Sequence, residues 1–169
     1  IMKRFYPKNN LLGMKQETII LKNIGIIRTP FQNKSEAPRQ GTFEPESEGK
    51  IELFEAYREG LKDLEKFSHA ILIFYFHKVE EMKLTGIPPM DNEERGIFAI
   101  RGPQRPNHLG LTVVRIKEIK GTEIFIKGVD MLDKTPLLDI KPYIRDLDSR
   151  EDAGAGWIKD FMGGNGSGE

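Results

Sequence analysis

No cysteine occurs in the 169-residue chain, which excludes disulfides and every zinc or iron–sulfur site built on thiolates. His69, His77 and His108 are the only imidazoles, and they stand at no close metal-ligand spacing, so no metal is expected. Net charge is also absent, because 26 basic and 26 acidic side chains cancel. No global field therefore draws the chain onto nucleic acid, and any such contact needs a local basic face. No apolar run reaches the roughly 20 residues that span a bilayer. No signal-type apolar region with a small-residue cleavage site opens the chain, and no Gly-x-Gly-x-x-Gly follows a strand. These absences argue for a cytoplasmic protein without a Rossmann site.

The composition, 31% charged and 38% hydrophobic, is that of a globular chain, and its length suits one domain with a substantial core. Thr18 to Arg28, Ala70 to His77, Gly96 to Arg101, Leu111 to Ile119 and Glu123 to Val129 read as strands, with Lys120-Gly121-Thr122 as the hairpin turn joining the last two. One helix is expected from about Ile51 or Leu53 to Phe67, because Phe54, Tyr57, Leu61 and Leu64 recur at three- and four-residue steps. Short strands with one main helix predict a mainly β fold, an antiparallel β-barrel or strongly curved sheet, rather than a doubly wound sheet. Residues 1–17, with Lys3, Arg4, Lys8 and Lys15, read as a basic N-terminal arm that either touches RNA or is a mobile terminus. Met14 is an alternative start. The core domain is placed at 18–145, and 146–169 is an extension ending in the glycine-rich, flexible tail Gly163–Gly168.

Chemistry concentrates in two segments. Arg101-Gly-Pro-Gln-Arg-Pro-Asn-His-Leu-Gly110 sets two permanently charged planar donors, Arg101 and Arg105, and the amide of Asn107 on a loop restricted by Pro103 and Pro106. Gly128-Val-Asp-Met-Leu-Asp-Lys-Thr-Pro-Leu-Leu-Asp-Ile-Lys-Pro-Tyr143 sets Asp130, Asp133 and Asp139 beside Lys134, Lys141 and Tyr143, with Pro136 and Pro142 disfavouring a regular amphipathic helix. A small polar ligand gripped between the two segments is the expectation. Arg39 and Gln40 offer donors to a carboxylate or an adenine edge, and Gly41 gives a backbone room to approach a ligand. Asp130 and Asp133 can accept from hydroxyls or an ammonium, although acids before a Thr-Pro also stabilise turns. Asp139 and Lys141 can equally pair with each other.

In these motifs the chain resembles the TsaA/TrmO-like (YaeB-like) family of methyltransferases. The likeness runs through Ile24-Gly-Ile-Ile-Arg-Thr-Pro-Phe31, Ala37-Pro-Arg-Gln40, Phe67-Ser-His69, Phe76-His77, Arg105-Pro-Asn107, Leu109-Gly-Leu111 and Asp139-Ile-Lys-Pro-Tyr143, in order, and covers roughly residues 18–145. It implies a homodimeric β-barrel that transfers a methyl group from S-adenosylmethionine to the exocyclic N6 of tRNA adenosine 37, on threonylcarbamoyladenosine in the anticodon loop. It places cofactor contacts at Pro38, Arg39, Gln40, His77, Lys78, Arg101, Leu111, Asp130, Met131, Leu132 and Asp133, and substrate contacts at Arg105 and Asn107. Asp139 or Tyr143, with Lys141 beside them, is the candidate group to take the amine proton. His69 is read as an internal hydrogen-bonding residue.

The chain departs from the family pattern at Lys78, where glutamine is usual, at Gly102 and His108, which replace serine and proline, and at Lys134, which stands where glycine is common. The competing reading is a noncatalytic nucleotide- or RNA-binding β-barrel that keeps the pocket without turnover.

Overall fold

The computed structural model describes residues 17–162; the basic arm up to Gln16 and the glycine-rich tail from Gly163 lie outside them. Eight strands run in chain order: β1 (Gly25–Arg28), β2 (Glu48–Leu53), β3 (His69–Tyr75), β4 (Thr85–Gly86), β5 (Arg95–Gly96), β6 (Leu109–Lys120), β7 (Glu123–Lys127) and β8 (Thr135–Pro142). Six of them close an antiparallel barrel in the order β1-β2-β7-β6-β3-β8, and β4 with β5 forms a separate two-stranded ribbon. The mainly β architecture expected from the sequence is therefore present.

Alternation along the strands fills the barrel. Ile27, Ile51, Leu53, Ala70, Leu72, Phe74, Val114, Ile124, Ile126 and Leu137 are all buried in one cluster, as a small barrel requires if its interior is to hold no void. At Gly110 the absent side chain makes room for the Phe74 ring, into which a Cβ would project. The expected hairpin forms as Lys120 pairs with Glu123, with Gly121 at φ 61° in the turn, the left-handed conformation that glycine adopts without strain.

Three expectations need correction. The helix read from Ile51 or Leu53 to Phe67 does not exist as one element: Ile51 and Leu53 are inward positions of β2, and the rest is two 3-10 segments, Glu55–Leu61 and Leu64–Lys66. Leu61 and Leu64 do face the core, but Asp63 at φ 70° breaks the run. Gly96 to Arg101 is not a strand either, since only Arg95–Gly96 pairs before a 3-10 turn at Ile97–Ala99. The Thr18 to Arg28 run is strand only from Gly25; Ile19, Ile20 and Leu21 are exposed and pair with no strand among the described residues.

Beyond the barrel, α1 (Arg145–Asp148) and α2 (Lys159–Met162) are single turns. Trp157, between them, donates its Nε1–H to the Ala99 carbonyl at 2.7 Å and stacks under Arg95, whose guanidinium carbon is 4.8 Å from the ring centroid. The extension thus folds back onto the 3-10 turn that precedes Arg101.

Candidate functional site

Antiparallel strands send alternate ends the same way, so the loops 29–47, 76–108 and 128–134 all emerge at one end of the barrel. These loops carry nearly every residue singled out above. The opposite end is covered by the 3-10 segments and holds a groove of about 460 Å³ lined by Ile24, Leu53, Tyr57, Leu64, Phe67 and Ile140 among others, none of them a predicted site residue. Lys62 and Asp63 also line that groove, which belongs to the closed end of the core.

Asp130 is the hub of the open end. Its Oδ2 accepts from the Gly41 N–H at 2.9 Å and from the Thr112 hydroxyl at 3.0 Å. Beside it the Arg101 guanidinium donates to the Gln40 side-chain oxygen at 2.8 Å, and the Gln40 amide donates to the Arg39 carbonyl at 2.8 Å. Burial pushes the Asp130 carboxyl above its usual range, while the Gly41 and Thr112 hydrogen bonds and the charge of Arg101 pull the other way. The result is a half-buried acid whose Oδ2 is spoken for and whose other oxygen keeps acceptor capacity. Gln40, Arg101 and Asp130, predicted from separate motifs, are thereby brought together. Thr112 was not predicted; a threonine on a strand is ordinary, and only its place in the inward row of β6, otherwise apolar, marks it.

The space at Gly41 is used by the protein. A Cβ there would run into the Gly128 carbonyl, so the glycine lets one loop pack against another rather than admitting a ligand at that point. Arg39 is exposed, and among the described residues no carboxylate forms an ion pair with Arg39, Arg101 or Arg105.

A second knot braces the loop that follows Asp130. The Thr29 hydroxyl donates to the Met131 carbonyl at 2.9 Å, the Asp133 N–H to the Phe31 carbonyl at 2.7 Å, and the Thr29 N–H to Asp133 Oδ1 at 3.3 Å. Met131 buries its side chain in the core at 2% exposure, so only its backbone faces the loop. The Leu132 carbonyl accepts from Thr135 at 2.7 Å, and the Thr135 hydroxyl lies 3.4 Å from His77 Nδ1. Burial lowers the His77 pKa, Lys78 adds to the effect, and Asp133 opposes it, so the ring favours its neutral form. Lys78 donates to the Gln32 carbonyl at 2.6 Å. Lys134 sits at φ 64°, the conformation glycine would take more easily.

Arg105 turns inward rather than toward solvent, donating through Nη1 to the carbonyls of Ile97 at 3.0 Å and Ile100 at 2.7 Å. Asn107 is exposed. His108 adopts φ 50° and is buried, with its Nδ1 3.4 Å from the Tyr75 hydroxyl. A proline, fixed near φ −65°, cannot take that shape, so this loop differs locally from the family pattern.

The segment read only as proline-broken is in fact β8. It tolerates Pro136 and Pro142 and a bulge between the pairs Ile73–Asp139 and Phe74–Leu137. Asp139 lies on the outer face, across Ile73 from Leu111, which is 57% exposed rather than in the core. Lys141, the next outward residue, pairs with Asp139 at 2.8 Å. Tyr143 lies farther along, with its N–H on the His69 carbonyl and its ring edge-on to His69 at 6.4 Å. His69 in turn shares a 2.9 Å hydrogen bond with Ser68. At about 3.3 Å per residue, the four steps from Ile73 to His69 put Tyr143 roughly 13 Å along the barrel from Asp139, toward the closed end.

Comparison with known proteins converges on one group. A family model described as tRNA-methyltransferase O N-terminal domain matches residues 26–149. A probable S-adenosyl-L-methionine-binding protein of Pyrococcus abyssi is 46% identical over 141 residues, 83% of this chain and 77% of that one. The tRNA (adenine(37)-N6)-methyltransferase of Mus musculus is 36% identical over 81% of this chain but only 33% of its own length. The crystal structure of TrmO from Pseudomonas aeruginosa superposes with a TM-score of 0.72 at 37% identity, over 83% of this chain and 62% of that one. This chain therefore spans less than two thirds of the latter two proteins.

Proposed function

Since the chain belongs to the tRNA-methyltransferase O family, we propose that it is an S-adenosylmethionine-dependent methyltransferase acting on the exocyclic N6 of tRNA adenosine 37, with threonylcarbamoyladenosine as the acceptor. The observation that carries this reading is the Gln40–Arg101 and Gly41–Asp130–Thr112 cluster at the open end. An amino-acid ammonium and ribose hydroxyls need a fixed carboxylate acceptor, and an amino-acid carboxylate needs a planar cation. The cluster supplies both, so the donor set fits the cofactor. The names of the relatives supply the methyl donor and the tRNA position.

The cofactor, when bound, supplies a methyl group on a sulfonium that is already a good leaving group, so no metal is needed to activate it. The remaining work is positional. Asp130, Arg101 and Gln40 hold one reactant, and Asn107, exposed farther along the loop that carries Arg101, contacts the other, so that the acceptor nitrogen can lie in line with the methyl. The acceptor nitrogen gains a carbon and loses its proton, for which Asp139 is the assigned acceptor because it lies on the same outer row as Leu111. Lys141 keeps that carboxylate oriented. Tyr143, nearer the closed end, is assigned to bracing β8 against His69. The same reading makes the active form a homodimer, supported by the exposed Leu111 and Val113 on the outer face of β6, at 57% and 38% exposure.

The test is nucleoside mass spectrometry of tRNA incubated with the purified chain and S-adenosylmethionine. One added methyl on threonylcarbamoyladenosine is expected. RNA binding without any affinity for S-adenosylmethionine or its demethylated product would instead establish a noncatalytic binding module.

A further inference from the structure

The 3-10 turn Ile97–Ala99 is held unusually firmly for a surface loop. Ile97 anchors it at 3% exposure. The Ile97 and Ile100 carbonyls both receive Arg105, and the Ala99 carbonyl receives Trp157 from the C-terminal extension. The residue left out of this grip is Phe98, at the crest, whose side chain is 76% exposed. The Arg105 guanidinium lies 5.9 Å from the Phe98 ring centroid. Folding gains little from an exposed phenyl, and a phenyl whose turn is already immobilised loses little entropy when something lies flat on it.

The geometry points to Phe98 as a stacking platform for an unpaired base of the substrate RNA, with Arg105 bracing the platform from below rather than reaching the substrate itself. This rests on the tRNA reading given above and adds the residue that receives the base. Unstacked loop bases are recognised by flat contact with aromatic rings, and every base offers a π-face. The exposed charge of Arg39, at the same end of the barrel and in no ion pair among the described residues, suits a phosphate that flanks such a base. Leu84 and Ile87, flanking β4, are exposed as well, so the preference for a base over a protein partner rests on the cation beside the ring. That cation is Arg105, whose guanidinium lies against the Phe98 ring.

The experiment uses an anticodon stem-loop RNA carrying 2-aminopurine in the loop, titrated with wild-type protein and with Phe98→Ala, Phe98→Leu and Phe98→Trp. Wild type and Phe98→Trp should quench the fluorophore. Phe98→Ala and Phe98→Leu should bind the stem-loop about 5- to 100-fold more weakly, the range for one lost base stack, with unchanged affinity for S-adenosylmethionine and unchanged melting temperature. Full affinity in Phe98→Ala would overturn the proposal, as would Phe98→Leu behaving like wild type, since an aliphatic cannot replace a stacking ring. A change in oligomeric state on Phe98→Ala would also overturn it, by showing that a second copy covers the ring. Wild-type protein that binds the cofactor but neither binds nor methylates the stem-loop would overturn the tRNA reading and this inference with it, whereas methylation by wild type with no defect in Phe98→Ala would overturn this inference alone.

Discussion

The Gly41 N–H and the Asp130 carboxylate, 89 positions apart, meet at 2.9 Å. That single bond ties the Pro38–Gly41 loop to the end of β7 and decides where the acid points. It can form only because residue 41 has no side chain, the Gly128 carbonyl occupying the place of a Cβ.

Gly41→Ala should therefore act as a cofactor-site mutation without touching the ligand. Relief of the clash moves the loop and removes a charge-assisted bond of about 1.5–3 kcal/mol, so affinity for S-adenosylmethionine should fall roughly 10- to 100-fold. Titration calorimetry reads the loss. Unchanged affinity would show that the loop and Asp130 are not coupled.

Asp130 gives a pH signature. Its folded pKa is raised, mainly by burial, so the folded state holds its proton to higher pH than the unfolded state does. Stability from this group is then greatest at low pH and declines as pH rises from the unfolded value, near 3.9, through the folded one. Asp130→Asn removes that decline. The variant should match or exceed wild type in melting temperature at neutral pH and lose the advantage in acid, while binding cofactor far more weakly. His77 runs the other way: its pKa is lowered by burial, so its contribution is present at neutral pH and lost as pH falls below about 6.5.

A near-continuous apolar and aromatic run makes β3 legible in the sequence, and clustered or alternating β-branched residues do the same for β6 and β7. The Phe54, Tyr57, Leu61 and Leu64 spacing misled because two short 3-10 turns separated by Asp63 can also bury Leu61 and Leu64 on one side. β8 was hidden by Pro136, Pro142 and the bulge at Leu138, which together break the period of two. In the site, Arg101 and Asp130 stand out as residue types that cores rarely need, whereas Gln40 is singled out by the family resemblance. Thr112 was invisible, because a lone hydroxyl in a strand signals nothing until its partner is known. The direction of Arg105 was equally out of reach, since the two carbonyls it serves exist as a pair only once the 97–99 turn has formed.

Arg105→Ala should now lower stability as well as function. Two carbonyls lose a charged donor, which at about 1–3 kcal/mol corresponds to a fall of several degrees in melting temperature at about 2–4 °C per kcal/mol. Hydrogen exchange should rise selectively at residues 97–100. A variant that melts like wild type yet fails to bind RNA would return Arg105 to direct substrate contact.

Val113→Lys tests the dimer. The residue faces outward on β6 and stands opposite Ile71 of β3, so a charge there leaves the barrel core untouched. Light scattering should show wild-type dimers and variant monomers, with far-ultraviolet circular dichroism unchanged. A monomeric wild type with full activity would remove the homodimer from the proposal.

Asp139→Asn separates chemistry from binding. If this carboxylate takes the proton released as the acceptor nitrogen gains its methyl, removing its basicity should reduce kcat by about 10²- to 10⁴-fold. Cofactor affinity and RNA affinity should stay within twofold of wild type by design of the comparison, about the scatter expected when no contact is lost. Asp139 is 45% exposed and bound to Lys141 at 2.8 Å, so a surface ion pair is the competing role, and such a pair contributes about 0–1 kcal/mol. Lys141→Met tells the two apart. Loss of the pair alone predicts small, equal effects of both substitutions on melting temperature and none on kcat, whereas the proton-acceptor role predicts a large kcat defect in Asp139→Asn and a much smaller one in Lys141→Met, where the carboxylate survives but is less firmly oriented.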